Sequence, residues 1–407
     1  MNKSILMLIK RITRCRTSGY NHSVLSFLRK QESSVYISGF RIKCGMTMFF
    51  YSLFSIIMLL FLIGQIAYAS VPVCVSANGL GKLVADVDSR NPSSTGRIPL
   101  ILIHGIHGTD STTFTNINGS SPAEKDYFKN FINYFYDHNL KDEYQLFRFH
   151  YLSDQQPNGF VTNIAQGLQE CLDNFINNHI IRDTKILILA HSMGGLVARS
   201  YMQEHGGGVR VEKLITLATP HHGTLGANDS SVLSALAGGW WYDPWTELFA
   251  RGGLFYKWWI DTGSHILSTQ PNRSDLRWDN YNNIISFDIN GWLYSLNNGQ
   301  YFDRLITYTG HIPSDQLWNY LYNLSPTDFA SVVADVLNGS IPGSLPNPEG
   351  CNEPYDDRIR LTIANIIMNR LYALTNDGMV SIDSASLHTI SSTHRNINLT
   401  NFDHGEM

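Results

Sequence analysis

The sequence of 407 residues has no internal repeat and no low-complexity tract, which excludes a repeat architecture and favours an ordinary globular protein. Positive charge is scarce beyond residue 69. Residues 1–69 hold nine of the 30 Lys and Arg residues and one of the 34 Asp and Glu residues. Residues 70–407 therefore carry 21 basic and 33 acidic side chains, a net charge of −12. Such an acidic body argues against nucleic acid as the partner.

Only one apolar run approaches the length that a membrane-spanning helix needs. It covers Phe49–Ile66, follows two basic residues, and is followed by "AYA" at 67–69. A positive flank, an apolar core and a small-x-small exit predict a signal peptide over residues 46–69, cleaved after Ala69. The chain is then secreted or periplasmic. The alternative is a membrane anchor formed by residues 49–69.

The residues before this run are expected to lie outside the folded protein. The segment at 26–47 resembles a translated bacterial intergenic repeat, so Met46 or Met48 is the expected start of translation. Residues 1–45 are therefore left out of the fold, which we expect to cover residues 70–407.

Cysteine is rare in the expected mature chain, which has Cys74, Cys171 and Cys351. Export would permit disulfide bonds between them. Cys171 shares a helical face with Ile164 and Phe175, which predicts a buried thiol. Cys74 and Cys351 could pair, and their spacing leaves this open.

Short apolar runs alternate with helical patterns along most of the chain. Strands are predicted at 97–105, 144–152, 185–190, 211–220 and 303–310. Helices are predicted at 161–178, 196–204 and near 356–372. Apolar runs of this kind, alternating with helices, are typical of a parallel sheet covered on both faces.

Two insertions interrupt this alternation. Residues 225–300 are predicted to be irregular and hold seven of the eight tryptophans. This segment could be a lid or cap whose apolar face meets lipid or lines an acyl pocket. An aromatic core is the alternative. The second insertion, at about 311–370, contains many turn residues.

The segment 187–199, "LILAHSMGGLVAR", places one serine between an apolar strand and a helix. Ala190 and Gly194 stand two residues before and after Ser192, so small side chains flank the turn. A sharp strand-to-helix turn exposes a hydroxyl and directs the next backbone N–H at the same point. Ser192 is therefore the expected nucleophile. A turn that only packs closely is the alternative.

Four motifs resemble those of the α/β-hydrolase fold, and most of all those of bacterial secreted lipases and esterases. They are "LILIHGIHG" at 100–108, "AHSMGG" at 190–195, "TPHHGT" at 219–224 and "NDGMVSIDSASL" at 376–387. The resemblance covers about residues 97–224 and 303–407. It implies an α/β fold with a mostly parallel central sheet, helices on both faces and an aromatic-rich lid or cap.

The resemblance also assigns roles to particular residues. It implies an oxyanion hole formed by the backbone N–H groups of Ile106 and Met193. The family's chain order of serine, acid and histidine implies that Asp377 orients His404, which acts as the base for Ser192.

Other candidates for these roles remain open. Asp383 is the reserve acid, and a plain turn is the alternative role for Asp377. His388 and His394 compete with His404 but precede the last strand. Relatives usually continue into a helix behind the histidine loop. Three residues follow His404 here, so we expect it to be weakly held.

Several further histidines have simpler interpretations. The side chains of His104, His107 and His191 are expected to form loop hydrogen bonds or to pack. The adjacent histidines of "TPHHGT" invite a metal site, but loop packing or substrate-side lining is favoured. Neither a metal nor a cofactor is expected.

These observations predict an exported serine hydrolase that cleaves carboxylic esters, of lipids or other acyl groups, through an acyl-enzyme. Its partner would be a small-molecule or lipid ester, with lipid-interface contact through the tryptophan-rich insertion. Two alternatives remain open: an acyltransferase or thioesterase with the same triad, and a catalytically inactive binding protein of this fold.

Overall fold

The computed structural model describes the part of the chain that forms the sheet and most of its surrounding helices. The described residues are 72–86, 96–105, 127–152, 160–182, 185–224, 227, 272–283, 290–312, 314–337, 340, 342–346, 355–387, 393–400, 402–404 and 407. The predicted signal peptide, Cys351 and the tryptophan-rich residues 240–259 lie outside them. Among the described helices, none combines the length and apolar character that crossing a membrane requires.

Eight strands form one sheet. They are β1 (Val73–Val75), β2 (Gly81–Ala85), β3 (Ile98–Ile103), β4 (Tyr144–Tyr151), β5 (Ile186–His191), β6 (Val211–Leu217), β7 (Leu305–His311) and β8 (Arg395–Thr400). Their order across the sheet is β1-β2-β4-β3-β5-β6-β7-β8. β2 pairs antiparallel with both β1 and β4, and every other pair is parallel. This order confirms the predicted α/β-hydrolase fold.

The central strands β3 and β5 are apolar on both faces because both faces of the sheet are covered there. In β3, Ile101 and Ile103 face one core, and Leu100 and Leu102 face the other. All four side chains are at least 96% buried. Full burial of one such side chain stabilises the fold by about 1.5–3 kcal/mol. Because its side chains alternate, β3 adds this stabilisation to the cores on both faces of the sheet.

Helices cover both faces and form the two insertions. They are α1 (Lys129–Asp137), α2 (Val161–Asn177), α3 (Met193–Glu204), α4 (Asn272–Leu276), α5 (Gly291–Asn297), α6 (Gln316–Tyr322), α7 (Pro326–Leu337), α8 (Tyr355–Tyr372) and α9 (Ile382–Ala385). α2 and α3 pack on the Ile101 face, whereas α1 packs on the Leu100 face through Phe131 and Phe135.

A disulfide bond joins the edge of the sheet to α2. Cys74 in β1 is bonded to Cys171, with 5.4 Å between the two Cα atoms. The expectation of a free buried thiol at Cys171 is therefore wrong. The helical periodicity correctly predicts that Cys171 faces the core, but it cannot show that the facing strand brings a second sulfur there.

The hairpin β1–β2 was not predicted as strand. Its inner strand, Gly81–Ala85, is only five residues long and contains Lys82, which is 2% exposed. A lysine interrupts the apolar pattern that marks a buried strand. Pairing with β1 and β4 on either side nevertheless buries the segment.

Both insertions are more regular than predicted. In the first, α4 and α5 are helical where irregular backbone is expected, and Asn290 caps α5 by accepting the Leu293 N–H at 2.9 Å. The second contains the predicted helix α8 and two further helices, α6 and α7, that the sequence does not predict. Apolar side chains from all three helices form a separate small core, including Leu317, Phe329 and Ile363.

Candidate active site

Ser192 lies at the turn between β5 and α3, with φ 52° and ψ −131°. This left-handed conformation is strained for a residue with a side chain. Its backbone N–H donates to the carbonyl of Leu217 at 2.8 Å, and its carbonyl accepts the N–H of Gly195 at 3.0 Å. The neighbouring strand and the first turn of the helix thus hold the strained backbone.

Close packing around the turn requires glycine at two positions, one in the turn and one just after β3. A Cβ on Gly194 would collide with the carbonyl oxygen atoms of Ile103 and His104. A Cβ on Gly105 would lie 2.8 Å from the Cβ of Ser192. The end of β3 therefore touches the turn directly, which explains the small residues seen in both motifs.

The structure brings together the three side chains that the sequence predicted. His404 Nε2 lies 2.9 Å from Ser192 Oγ, and His404 Nδ1 lies 2.9 Å from Asp377 Oδ2. All three residues are at least 94% buried. Asp377 accepts from Nδ1–H, which leaves Nε2 unprotonated and able to accept the hydroxyl proton of Ser192.

The carboxyl group of Asp377 is fixed by its own loop. Its Oδ1 accepts the backbone N–H groups of Met379 at 2.9 Å and Val380 at 2.7 Å. Between them and the acid, Gly378 has φ 100°, a conformation that strains other residues. The loop leaves Oδ2 directed at the imidazole of His404, as an orienting carboxylate requires.

His404 is firmly held, so the expectation of a weakly held histidine is wrong. Its backbone N–H donates to the carbonyl of Asp377 at 3.0 Å. The preceding residue, Asp403, accepts a hydrogen bond from Arg358 of α8 at 2.7 Å, and this ion pair is fully buried. Arg358 also contacts Asp315, which caps α6. The second insertion therefore supports the loop that carries His404.

The two histidines of "TPHHGT" point in different directions and are both completely buried. His221 accepts from Arg199 at 3.1 Å through Nδ1. His222 donates through Nδ1 to Asp279, 2.7 Å away, and Asn297 donates to the same carboxyl oxygen at 2.8 Å. Both histidines are therefore packed inside the protein, as expected for loop packing. The same hydrogen bonds connect the first insertion to the loop that follows β6.

The loop with these histidines also contacts the acid loop. The hydroxyl of Thr224 donates to the carbonyl of Met379 at 2.7 Å, and Ser384 of α9 accepts the His222 N–H at 3.0 Å. Sequence reasoning missed the partners Asp279 and Arg358. Each lies in an insertion, and no local pattern marks a charged residue that becomes buried there.

The other residues that the sequence offers as candidates for the site have the following positions. Met193 is the first residue of α3, directly after Ser192, and its role as an oxyanion donor stays a prediction. Ile106, His107 and His388 lie outside the described residues. His394 Nε2 is 2.6 Å from the carbonyl of Ser386. Asp383 lies in α9 and interacts with Tyr281.

The histidine at the end of β3 has a structural role, as predicted. His104 stacks on Tyr151, with ring centroids 4.2 Å apart, and its Nε2 accepts the Tyr151 N–H at 3.1 Å. His191 is likewise hydrogen-bonded through both ring nitrogens. Within the described ranges, no group of three or more His, Cys, Asp or Glu side chains could hold a metal ion.

The geometry of Ser192, His404 and Asp377 suits acyl transfer. A neutral imidazole at hydrogen-bond distance can remove the hydroxyl proton as the oxygen attacks a carbonyl carbon. The carboxylate fixes the tautomer and stabilises the imidazolium that forms. Burial excludes bulk water and strengthens these electrostatic interactions.

Comparison with known proteins gives a partial family match and distant structural likenesses. Residues 94–238, about a third of the chain, match the family model described as "PGAP1-like alpha/beta domain". No curated protein has a sequence that matches this chain significantly. The matched residues include β3 and the turn at Ser192.

Solved structures with a similar fold include bacterial lipases and esterases, all at low sequence identity. The mature lipase BlEst2 of Bacillus licheniformis is 16% identical, with a TM-score of 0.39 over 80% of this chain and 91% of that one. The esterase RhEst1 of a Rhodococcus species is 13% identical, with a TM-score of 0.37 over 83% and 92%. Because these scores are low, the assignment of the fold rests on the strand order of the sheet.

Three buried histidines make stability depend on pH. Burial lowers the pKa of His191 to about 3, and lowers those of His150 and His221 well below 6.5. The unfolded chain binds these protons below pH 6.5 and the folded chain does not. The free energy of unfolding should therefore fall on acidification from pH 6.5, by about 1.4 kcal/mol per pH unit for each histidine.

Thermal unfolding between pH 5 and 8 checks this prediction. Asp275, whose pKa burial raises to about 7, acts in the opposite direction below pH 7 and offsets one histidine. The variant His150→Phe keeps an aromatic ring and removes two buried nitrogens that have no hydrogen-bond partner among the described residues. It should flatten the pH dependence by the contribution of one histidine. An unchanged slope would contradict the assignment.

Proposed function

We propose that this chain is a serine hydrolase that cleaves carboxylic esters through an acyl-enzyme, with Ser192 as nucleophile, His404 as base and Asp377 as orienting acid. The observation that carries the proposal is the unbroken hydrogen-bond chain Ser192–His404–Asp377, with 2.9 Å at each step. The strained turn at Ser192 supports it, because such strain is typical of functional sites.

The proposed reaction has two halves. Ser192 Oγ attacks the ester carbonyl carbon while its proton passes to His404 Nε2, and the tetrahedral intermediate then expels the alcohol, which takes that proton. A water molecule attacks the acyl-enzyme in the same way, and the carboxylic acid leaves. The backbone N–H groups of Met193 and Ile106 are the proposed donors to the oxyanion.

We propose lipid and other long acyl esters as the substrate class. Residues 238–259, "GGWWYDPWTELFARGGLFYKWW", combine five tryptophans with further aromatic and aliphatic residues. Such a composition suits contact with an acyl chain or a lipid surface. An acyltransferase or thioesterase with the same three residues is the alternative, and the acceptor of the acyl group distinguishes them.

The replacement Ser192→Ala tests the nucleophile. It should reduce kcat by roughly ten-thousandfold or more, measured on p-nitrophenyl esters of graded acyl length with the purified full chain. Ser200→Ala, which removes a buried hydroxyl from the helix that follows Ser192, is the matched control and should keep near-normal activity. Equal turnover by the Ser192→Ala variant and the unmodified protein would overturn the proposal. Activity confined to short acyl chains would count against lipid substrates.

A second pair of variants tests the acid. Asp377→Asn should lower kcat by roughly ten-thousandfold, because an amide no longer selects the required imidazole tautomer. Asp383→Asn, only six residues away in α9, should leave kcat nearly unchanged. A large loss in Asp383→Asn together with a small one in Asp377→Asn would reverse the assignment of the acid.

We also propose that the chain is exported, with cleavage after Ala69. The disulfide between Cys74 and Cys171 supports this, because such bonds form and persist in oxidising compartments. Expression in a bacterium should give a mature protein outside the cytoplasm whose first residue is Ser70, as N-terminal sequencing would show. An uncleaved, membrane-bound product would favour the anchor formed by residues 49–69, and a cytoplasmic product would contradict export.

A further inference from the structure

His191, the residue before Ser192, connects three parts of the site. Its Nε2 lies 2.9 Å from the backbone carbonyl oxygen of His404, and its Nδ1 lies 2.6 Å from the hydroxyl of Tyr127. That hydroxyl also accepts the backbone N–H of Gly105 at 2.8 Å. One buried imidazole thus links the end of β5, the base loop and the end of β3.

The hydrogen bonds fix the tautomer of His191. A carbonyl oxygen only accepts, so Nε2 must carry the proton, and Nδ1 is then the acceptor for the Tyr127 hydroxyl. Tyr127 keeps a lone pair for the N–H of Gly105, so every donor in the chain has an acceptor. Burial lowers the pKa of His191 and raises that of Tyr127, which keeps both side chains neutral.

The contact to His404 completes the support of that residue. The backbone N–H of His404 donates to the carbonyl of Asp377, and its ring contacts Ser192 and Asp377. Its carbonyl oxygen accepts a hydrogen bond from the Nε2–H of His191. His191 is the residue before Ser192, so its hydrogen bond to the carbonyl of His404 connects the backbone of the proposed base with that of the proposed nucleophile. The two imidazole rings are also close, with centroids 5.0 Å apart.

We propose that His191 is a positioning residue: it holds the backbone of His404 at the distance from Ser192 at which proton transfer occurs. The inference rests on the proposed function, since it concerns the base of that reaction. It assigns His191 a role beyond loop packing, because the hydrogen-bonded group is the base itself and not a neighbouring loop. Misplacing a reacting group by about 1 Å can cost a hundredfold in rate.

Two amide variants separate the two hydrogen bonds. Asparagine carries its amide on Cγ, at the depth of Nδ1, so His191→Asn can keep the Tyr127 contact but cannot reach the carbonyl of His404. Glutamine is one carbon longer, so the amide of His191→Gln can donate near the position of Nε2. The two variants introduce the same functional group and differ in which contact they preserve.

The expected result is selective loss and rescue. His191→Asn should lose between about tenfold and a hundredfold in kcat with little change in KM, whereas His191→Gln should stay within about threefold of normal. His205→Asn, at the C-terminal cap of α3, is the matched histidine control and should have normal kcat. Rates are divided by the concentration of sites that react with a fluorophosphonate, so that partial unfolding does not enter the comparison.

A spectroscopic measurement gives an answer that does not depend on turnover. The proton shared by His404 and Asp377 should give a far-downfield NMR resonance, as expected for a short charge-assisted hydrogen bond. The resonance should persist in His191→Gln and broaden or vanish in His191→Asn. If the unmodified protein neither cleaves esters nor reacts with the fluorophosphonate, the proposed function fails, and this resonance alone decides the positioning role.

Several results would overturn the inference. One is equal kcat in the Asn and Gln variants, whether both are normal or both are reduced. Another is a loss in both variants that follows their melting temperatures, as a purely structural role predicts. A resonance that is unchanged in His191→Asn would also contradict the positioning of His404.

Discussion

The backbone at Ser192 is the constraint on which the site depends. A residue with a side chain at φ 52° costs of order 1–3 kcal/mol, and the surrounding contacts maintain this conformation. A backbone carbonyl of β6 accepts the Ser192 N–H, and α3 begins directly after the serine. Gly194 allows the turn to approach the end of β3. Because the sheet is parallel here, the same edge also receives the loop after β8, so the hydroxyl and the imidazole of His404 meet.

The contacts around His404 show how distant segments define one geometry. His404 is separated by 212 residues from Ser192 and by 27 from Asp377. Its loop is also held by Arg358 through Asp403 and by His191 through a backbone carbonyl. Each partner comes from a different element of the fold. The position of the imidazole therefore results from the packing of the sheet and of the second insertion together.

The sequence predicts those parts of the molecule that have local signals. Apolar runs separated by helical periodicity were sufficient for β3 to β7, and glycines around Ser192 marked the turn. Asp377 and His404 depended on a resemblance, because neither residue differs locally from an ordinary loop residue. The bond between Cys74 and Cys171 and the buried pair Arg358–Asp403 could not be predicted, since each joins segments that only the tertiary fold brings together.

The ion pair between Arg358 and Asp403 gives the second insertion a part in positioning His404. Insertions in enzymes are often exchanged or remodelled to change which substrates fit. Here such remodelling of α8 would also shift the anchor of the residue next to His404. An exchange of this segment that removes Arg358 would take away a buried cation that pairs with Asp403, so the replacement segment must supply another one.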